Sequence, residues 1–490
     1  MSEQVGSIEP MFEPFAPTEL IDEVTAAARV EAQAIARRLN AVADLMALRE
    51  RQYGDRPEWA ADLWDAVAAE LAAALRICPA LASGYLRDAL VLRERLPKVG
   101  HCLASGEISY TLFQTIAYRT ALITDEKALA RVDSEVAARA PRWPSLTQRS
   151  LAMRVDNIIA KVDRDAVRRT KKEIKDRYLS ISESEPGMAE VYGKVFASTG
   201  GALNRRLDEL AGTVCEGDAR TKAQRRADAL GALVAGADRL ACTCGEPCCS
   251  TTKGRLRDRN VVIYVIAEHA SLDGSGTKPG FMACADGLVP TEVIAELAKS
   301  AMLRPLSLPV GAQPERGYIP SAKLIEFVRC RDLTCRAPGC SEPAMSCDVD
   351  HTIPYADGGP THASNLKCLC RKHHLLKTFW QWKDKQLPDG TVIWTLPSGH
   401  TYVTTPGSAV LFPALTVPTG DLPDPAKPRS GRCGKKTAMM PTRRRTRAQE
   451  RSQRIAAERN RNHNDRLARQ RAYTYARPTT PGERDEPPPF

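Results

Sequence analysis

Six of the fifteen cysteines and four of the eight histidines of this 490-residue chain fall between Cys330 and His374. A stretch so rich in thiols and imidazoles, and so poor in large apolar side chains, holds its shape through disulfides or through metal. The redox compartment decides between them. The opening MSEQVGSIEP lacks the basic-then-apolar order of a secretory signal, and no run of eighteen apolar residues occurs. The expectation is a cytoplasmic chain without a membrane span, whose clustered thiols bind metal.

Two demands are superimposed in CRDLTCRAPGCSEPAMSCDVDHTIPYADGGPTHASNLKCLCRKHHLLKTFW. Cys335 and Cys340 flank a Pro-Gly turn, and Cys370 and His373 stand three positions apart at a predicted helix start. Two such knuckles make a closed, structural zinc site, with Cys330, Cys347 and Cys368 as competing thiols. The metal would supply much of the local stability.

The second demand is hydrolytic. Asp350 and His351 end a short predicted strand, Asn365 follows a Gly-Gly turn and loop, and His374 lies on the helix. Neighbours on a helix diverge by about 100°, so while His373 completes the zinc site His374 addresses another point. A divalent ion held by Asp350 and His374 keeps most positions open for water and a phosphate oxygen, as phosphodiester hydrolysis requires. His351 points to the other strand face, stays unligated and serves as general base, while Asn365 fixes its loop. Lys377 is placed to stabilise a pentacovalent phosphate. His362 is read as an exposed loop residue.

The N-terminal half is of a different kind. Apolar residues make up 43 % of the chain but aromatics only 6 %, which favours close-packed, alanine-rich helices over a sandwich. From Thr18 to about Arg49, Ile21, Val24, Ala28, Ala32, Ile35, Leu39, Val42 and Met46 recur at spacings of three and four, one long amphipathic helix. A second helix starts near Pro57 with Asp55 as cap, and further helices are predicted over 81–96, 110–121, 125–140, 145–159 and 163–175. YLSIS and MAEVYGKVF around a turn read as a hairpin, and VVIYVIAEHASL as a strand. His101 and His269 stand alone and read as structural. Cys242, Cys244, Cys248 and Cys249, in ACTCGEPCCS, either bind a second metal or are inert loop thiols.

The basic charge belongs to the C-terminus. Between Lys427 and Arg477 seventeen Lys and Arg face three acids, against a net charge of +11 for the whole chain. Pro-rich flanks and few large apolar residues predict a disordered tail that attracts nucleic acid electrostatically, with Arg443, Arg444, Arg445 and Arg447 at its centre. The predicted fold class is a mainly α N-terminal domain with a small β-sheet (α+β), then a zinc-stabilised metal-binding domain, then the disordered basic tail. Its parts are a flexible N-terminus (1–17), the helical domain (18–305), a linker (306–319), the metal domain (320–384), an appended β-meander (385–407) and the Pro- and Arg-rich tail (408–490). Trp380, Trp382 and Trp394 are read as core that covers the zinc subdomain, with base stacking as the alternative.

The order of Asp350-His351, Asn365 and His374, framed by zinc-ligand pairs, resembles the HNH endonuclease motif with its ββα-metal fold. The resemblance implies a divalent ion on Asp350 and His374, His351 as base and Asn365 as its positioner. Some HNH nucleases carry a further metal histidine one turn after the last motif histidine; here Thr378 stands there. Two protein ligands suit magnesium or manganese better than tightly held zinc. KAQRRADALGALV, the CTCG loop, CRAPGC, DVDH, NLKCLCRKHHLLKT and DGTVIWTLPSGHTYVT together resemble the actinobacterial thirteen-E-twelve repeat family, in which an N-terminal domain of unknown function precedes an HNH nuclease.

The sequence therefore predicts a metal-dependent HNH endonuclease that hydrolyses DNA phosphodiesters. The alternative is a catalytically inactive, zinc-stabilised protein that binds nucleic acid. The four chemical groups of the site are all present, which favours the enzyme.

Overall fold

The computed structural model describes residues 16–475 except 145, 169–177, 186–187, 247–248, 250–263, 284–286, 300 and 423–438. Helix α1 (Pro17–Tyr53) buries Ala32, Leu39 and Val42 of the predicted stripe together with the neighbouring Ala36 and Ala43, and leaves its first turns exposed. Small side chains at these positions let α2 (Leu63–Leu75) and α3 (Pro79–Leu90) approach closely. A π-helical turn, Val91–Arg95, joins α3 to α4 (Pro97–Ala104). The bundle continues through α5 (Tyr110–Thr120), α6 (Glu126–Arg139) and α7 (Gln148–Val162). Asp62, Ser109, Asp125 and Thr147 each accept a backbone N–H three residues on, capping α2, α5, α6 and α7.

Some predicted boundaries differ. The second helix begins at Leu63, capped by Asp62 and not by Asp55. Residues 58–60 instead pair with the C-terminal segment, Ala60 N–H donating to Pro441 O (2.7 Å) and Arg443 N–H to Glu58 O (2.6 Å). The helix predicted over 163–175 is a 3-10 turn, Arg164–Ala166, with 169–175 outside the described residues. Of the strand predicted from Val261, only β3 (Val265–Ile266) is extended among the described residues; His269–Leu272 closes a helical turn, α10.

The hairpin β1 (Tyr178–Glu185) and β2 (Met188–Lys194) is antiparallel. It is followed by α8 (Ala197–Ala211) and α9 (Lys222–Val234), while β3 pairs with β4 (Gly280–Met282) and β4 with β5 (Gly287–Val289) before α11 (Thr291–Ala298).

Helix α12 (Ala322–Asp332), capped by Ser321, opens the thiol-rich part. There β6 (Asp348–His351) and β7 (Leu366–Leu369) form a two-stranded antiparallel ribbon, and α13 (Arg371–Phe379) follows at once. A three-stranded meander, β8 (Lys383–Gln386), β9 (Val392–Thr395) and β10 (Thr401–Thr404), comes next. Trp380, Trp382 and Trp394 are buried, and one continuous core runs from α1 through these tryptophans. Trp380 stacks edge-on against Tyr53 and Trp59 and donates its indole N–H to Ala61 O (3.0 Å), so the helical bundle and the thiol-rich part pack as neighbours.

The tail differs in extent from the sequence reading. Residues 407–416 contain two 3-10 turns, and α14 (Arg447–Tyr475) is a helix lying on the bundle. Arg459 binds Asp163 (2.7 Å), Asn462 donates to the carbonyls of Asp165 and Val167, and Arg466 clasps both oxygens of Asp165 at 2.9 Å. Low apolar content argues for disorder, but half-buried acids of the bundle supply the partners that composition does not reveal. Residues 423–438 and 476–490 lie outside the described residues.

Candidate metal centre

Four ligand atoms, from Cys335, Cys340, Cys370 and His373, lie within 4.8 Å of one another. Cys370 is the N-cap of α13, which sets His373 one turn along the same face. His373 Nδ1 stands 3.2 Å from Cys370 Sγ and 3.6 Å from Cys335 Sγ, and Cys340 Sγ is 4.0 Å from Cys370 Sγ. Tetrahedral zinc with bonds of about 2.0–2.3 Å separates its ligands by roughly 3.5–3.8 Å, so this donor set fits such an ion. Of the competing thiols, Cys368 Sγ faces Val328 O, and Cys347, although its thiol neighbours Cys335, directs Sγ at the carbonyls of Glu342 and Pro343.

The second group lies on the β6 face that meets α13. Asp350 Oδ1 is 3.4 Å from His374 Nε2, a separation suited to neighbouring ligands of one divalent ion. Asp350 Oδ2 is bound by Lys367 Nζ (2.8 Å) and Lys377 Nζ (2.7 Å). Burial alone would raise the Asp350 pKa, but the two ammonium groups outweigh it and hold the carboxyl down at about 2. Oδ1 is the oxygen that faces His374. Asp348, two residues earlier on the same strand face, accepts a hydrogen bond from His374 Nδ1–H at 2.9 Å and orients that ring.

His351 faces away from this pair, 5 % exposed, stacked on Tyr318 (5.4 Å between centroids) and edge-on to Tyr355 (5.8 Å). Burial pushes its pKa down to about 4, with Lys367 and Lys377 adding to the effect against Asp350, so the imidazole is neutral at neutral pH. Thr361 Oγ1 donates its single proton to Gly317 O (2.6 Å) and lies 3.0 Å from His351 Nε2. With that proton spent, the hydroxyl can only accept from Nε2–H, which leaves Nδ1 with the free lone pair.

Asn365 is fully buried and uses both ends of its amide: Oδ1 accepts from Ile353 N–H (2.8 Å), and Nδ2 donates to Ile353 O (3.1 Å) and Pro360 O (2.9 Å). It thereby clamps the loop that leaves His351, without touching the imidazole through these bonds. Lys377 points inward to Asp350 and to His351 O (2.5 Å), 11 % exposed at its side chain. Its ammonium is thus engaged by the site itself. His362, read as exposed, is 4 % exposed, its ring bridging Ala312 O and Ser364 N–H.

Residue reading overlooked Asp348, Thr361, Tyr318, Lys367 and Asp384. Lys367 is fully buried between Asp350 and Asp384 (2.6 Å), and these carboxylates raise its pKa against the effect of burial. The alternation of β6 pointed to Asp348; Lys367 is the cross-strand partner of Asp350, a pairing that needs the register.

Of the four tail arginines, Arg443 and Arg447 form ion pairs with Asp62 and Asp65 at 2.6–3.2 Å. Arg444 and Arg445 are exposed. No single helix among the described residues is long and apolar enough to cross a membrane.

Residues 26–332 match a family described as a domain of unknown function, DUF222, and residues 330–379 match HNH endonuclease. The uncharacterized protein Rv3776 of Mycobacterium tuberculosis (strain ATCC 25618 / H37Rv) is 44 % identical over 478 residues, 90 % of this chain and 91 % of its own length. The uncharacterized protein Rv2100 of the same strain is 44 % identical over 481 residues, 90 % of this chain and 87 % of its own. A third M. tuberculosis protein, an uncharacterized protein in the est 3' region, is 39 % identical over 344 residues, 64 % of this chain and 98 % of its own. No solved structure matches the chain.

Proposed function

Because the chain belongs to the DUF222 family and carries an HNH endonuclease domain, we propose that it is a metal-dependent endonuclease hydrolysing phosphodiester bonds of DNA. Its alanine-rich N-terminal helices and C-terminal nuclease motif support placing it in the thirteen-E-twelve repeat group. The observation that carries the reading is the 3.4 Å approach of Asp350 Oδ1 to His374 Nε2 beside a neutral, buried His351.

Asp350 and His374 would hold magnesium or manganese, and Cys335, Cys340, Cys370 and His373 a structural zinc. When bound, the catalytic ion supplies an electrophile for the phosphate and the departing 3′ oxygen. His351, kept neutral by burial, accepts a proton from the attacking water at Nδ1. Thr361 holds the Nε2–H tautomer that leaves Nδ1 basic. Asp348 orients His374, and Asn365 fixes the backbone on which His351 is presented. Lys377 and Lys367 keep Asp350 ionised. Arg444 and Arg445 on the exposed side of the tail would attract the DNA backbone.

A second reading has an observation of its own. Lys367 and Lys377 already compensate Asp350, so the pocket is electrostatically satisfied by the chain's own charges, as a zinc-stabilised nucleic-acid-binding module without cleavage would require. Plasmid nicking with magnesium or manganese separates the two. The wild type is expected to cleave, and His351→Ala to lose about 10²–10⁴-fold in rate with zinc content unchanged. Absence of cleavage by the wild type across these metals supports the binder.

A further inference from the structure

Beyond the nuclease segment, a second convergence of thiols lies in the N-terminal domain, at the connected end of the α8–α9 hairpin. Cys215, on the turn after α8, meets Cys242, Cys244 and Cys249, on the segment after α9, with all four sulfurs within 4.8 Å of one another. Three of these thiols come from the cysteine-rich loop noticed in the sequence. The fourth is Cys215, 27 residues upstream of Cys242. Cys248 lies outside the described residues.

The N–H of Gly217 is directed at Cys215 Sγ, that of Cys244 at Cys242 Sγ and that of Glu246 at Cys244 Sγ, each two residues beyond the sulfur that it serves. Cys215 N–H also faces Cys242 Sγ. Gly245, at φ +78°, supplies the left-handed residue that folds the Cys244 turn back on itself. Cys215 and Cys242 sulfurs are 3.4 Å apart, well beyond the disulfide bond of about 2.05 Å.

The surroundings give the cluster a purpose. The buried apolar residues here, Leu210, Ala211, Ala229, Ala237 and Leu240, are not part of the continuous core of the molecule. So few side chains hold a helical hairpin weakly. Asp218 ties the two cysteine-bearing segments together, accepting from Arg220 and from Thr243 N–H, while Arg220 reaches Ala241 O (2.7 Å).

We propose that Cys215, Cys242, Cys244 and Cys249 bind a structural zinc ion that pins the α8–α9 hairpin of the DUF222 domain. Four thiolates in a tetrahedral set select zinc or iron from the common divalent metals, and a closed set with no open position is structural. Each thiol releases its proton to solvent as it binds, so occupancy falls in acid.

The test uses the full-length chain purified under reducing conditions. Metal analysis is expected to give two zinc ions per chain, falling to one in the Cys215→Ser, Cys242→Ser double variant. Native alkylation followed by peptide mapping should find Cys215, Cys242, Cys244 and Cys249 protected until a chelator is added, whereupon residues 197–249 become sensitive to protease. Should the double variant fail to fold, protection in the wild type decides alone. One zinc per chain with these four thiols freely alkylated, iron in place of zinc, or a native disulfide between any two of them overturns the proposal.

Discussion

At the residue scale, the chemistry proposed for His351 rests on a hydroxyl that no motif includes. Thr361 is fully committed: it passes its proton to Gly317 O and so fixes which imidazole nitrogen carries a proton. Thr361→Val removes the acceptor while keeping the shape of the side chain. Cleavage is expected to drop about tenfold, in the range found when orienting hydrogen bonds are lost, and Thr361→Ser should restore it. A purely structural Thr361 would instead show a lowered melting temperature with an unchanged rate per folded molecule. Asp350 and His374 were legible because their types and spacing are demanding. Thr361, Lys367 and Asp384 were not, because threonine, lysine and aspartate occur everywhere and acquire meaning only from what they face.

At the scale of elements, β6, β7 and α13 make a unit too small to be stable by burial alone. The strands are four residues each and the helix nine. What holds them, apart from the Cys335–His373 cluster, is a buried polar brace from α12. Asp332 accepts Cys368 N–H (2.7 Å), and Arg331 donates to Ala363 O (2.9 Å) and Leu366 O (2.7 Å). Zinc binding to a cysteine–histidine set contributes directly to folding free energy. Removing metal by strong chelation, or replacing Cys370 by Ser, is therefore expected to abolish protection of β6 and β7 amides from hydrogen exchange while α1–α7 keep theirs. Retention of the β6–β7 protection without metal would refute a structural zinc here. The helical stripe of α1 and the hairpin at Tyr178 could be read from periodicity. The start of α2 could not, since residues 58–60 are taken up by a strand-like pairing with residues 441–443 that is distant in sequence.

At the scale of the molecule, one aspartate links three parts. Asp65 on α2 binds Lys372 of α13 (2.8 Å) and also Arg443 and Arg447 of the tail. Helix α14 is then fastened farther along by Asp165, whose pairing with Arg466 and His463 holds its carboxyl down at about 2. A carboxylate depressed in the folded state below the ordinary 3.8 favours docking above that value, and the contribution disappears as pH falls from about 4 towards 2. Amide exchange over α14, corrected for its intrinsic pH dependence, should accelerate across that window. Asp165→Asn should show faster exchange already at pH 7 and a weaker further change in acid. An equal response of wild type and variant would mean that Asp165 does not hold the helix.

The sequence by itself determined the identities and spacing of the candidate metal ligands, the helical period of the N-terminal half and the surplus of basic charge at the end, because each is a local property of residue type and order. Tertiary structure alone decided that Cys215 joins the thiols of a loop 27 residues away, that two lysines claim one oxygen of Asp350, and that arginines of the basic tail pair with Asp62, Asp65, Asp163 and Asp165. Charge and chemistry are written along the chain, but the partner that satisfies each group is chosen by the distances that folding creates.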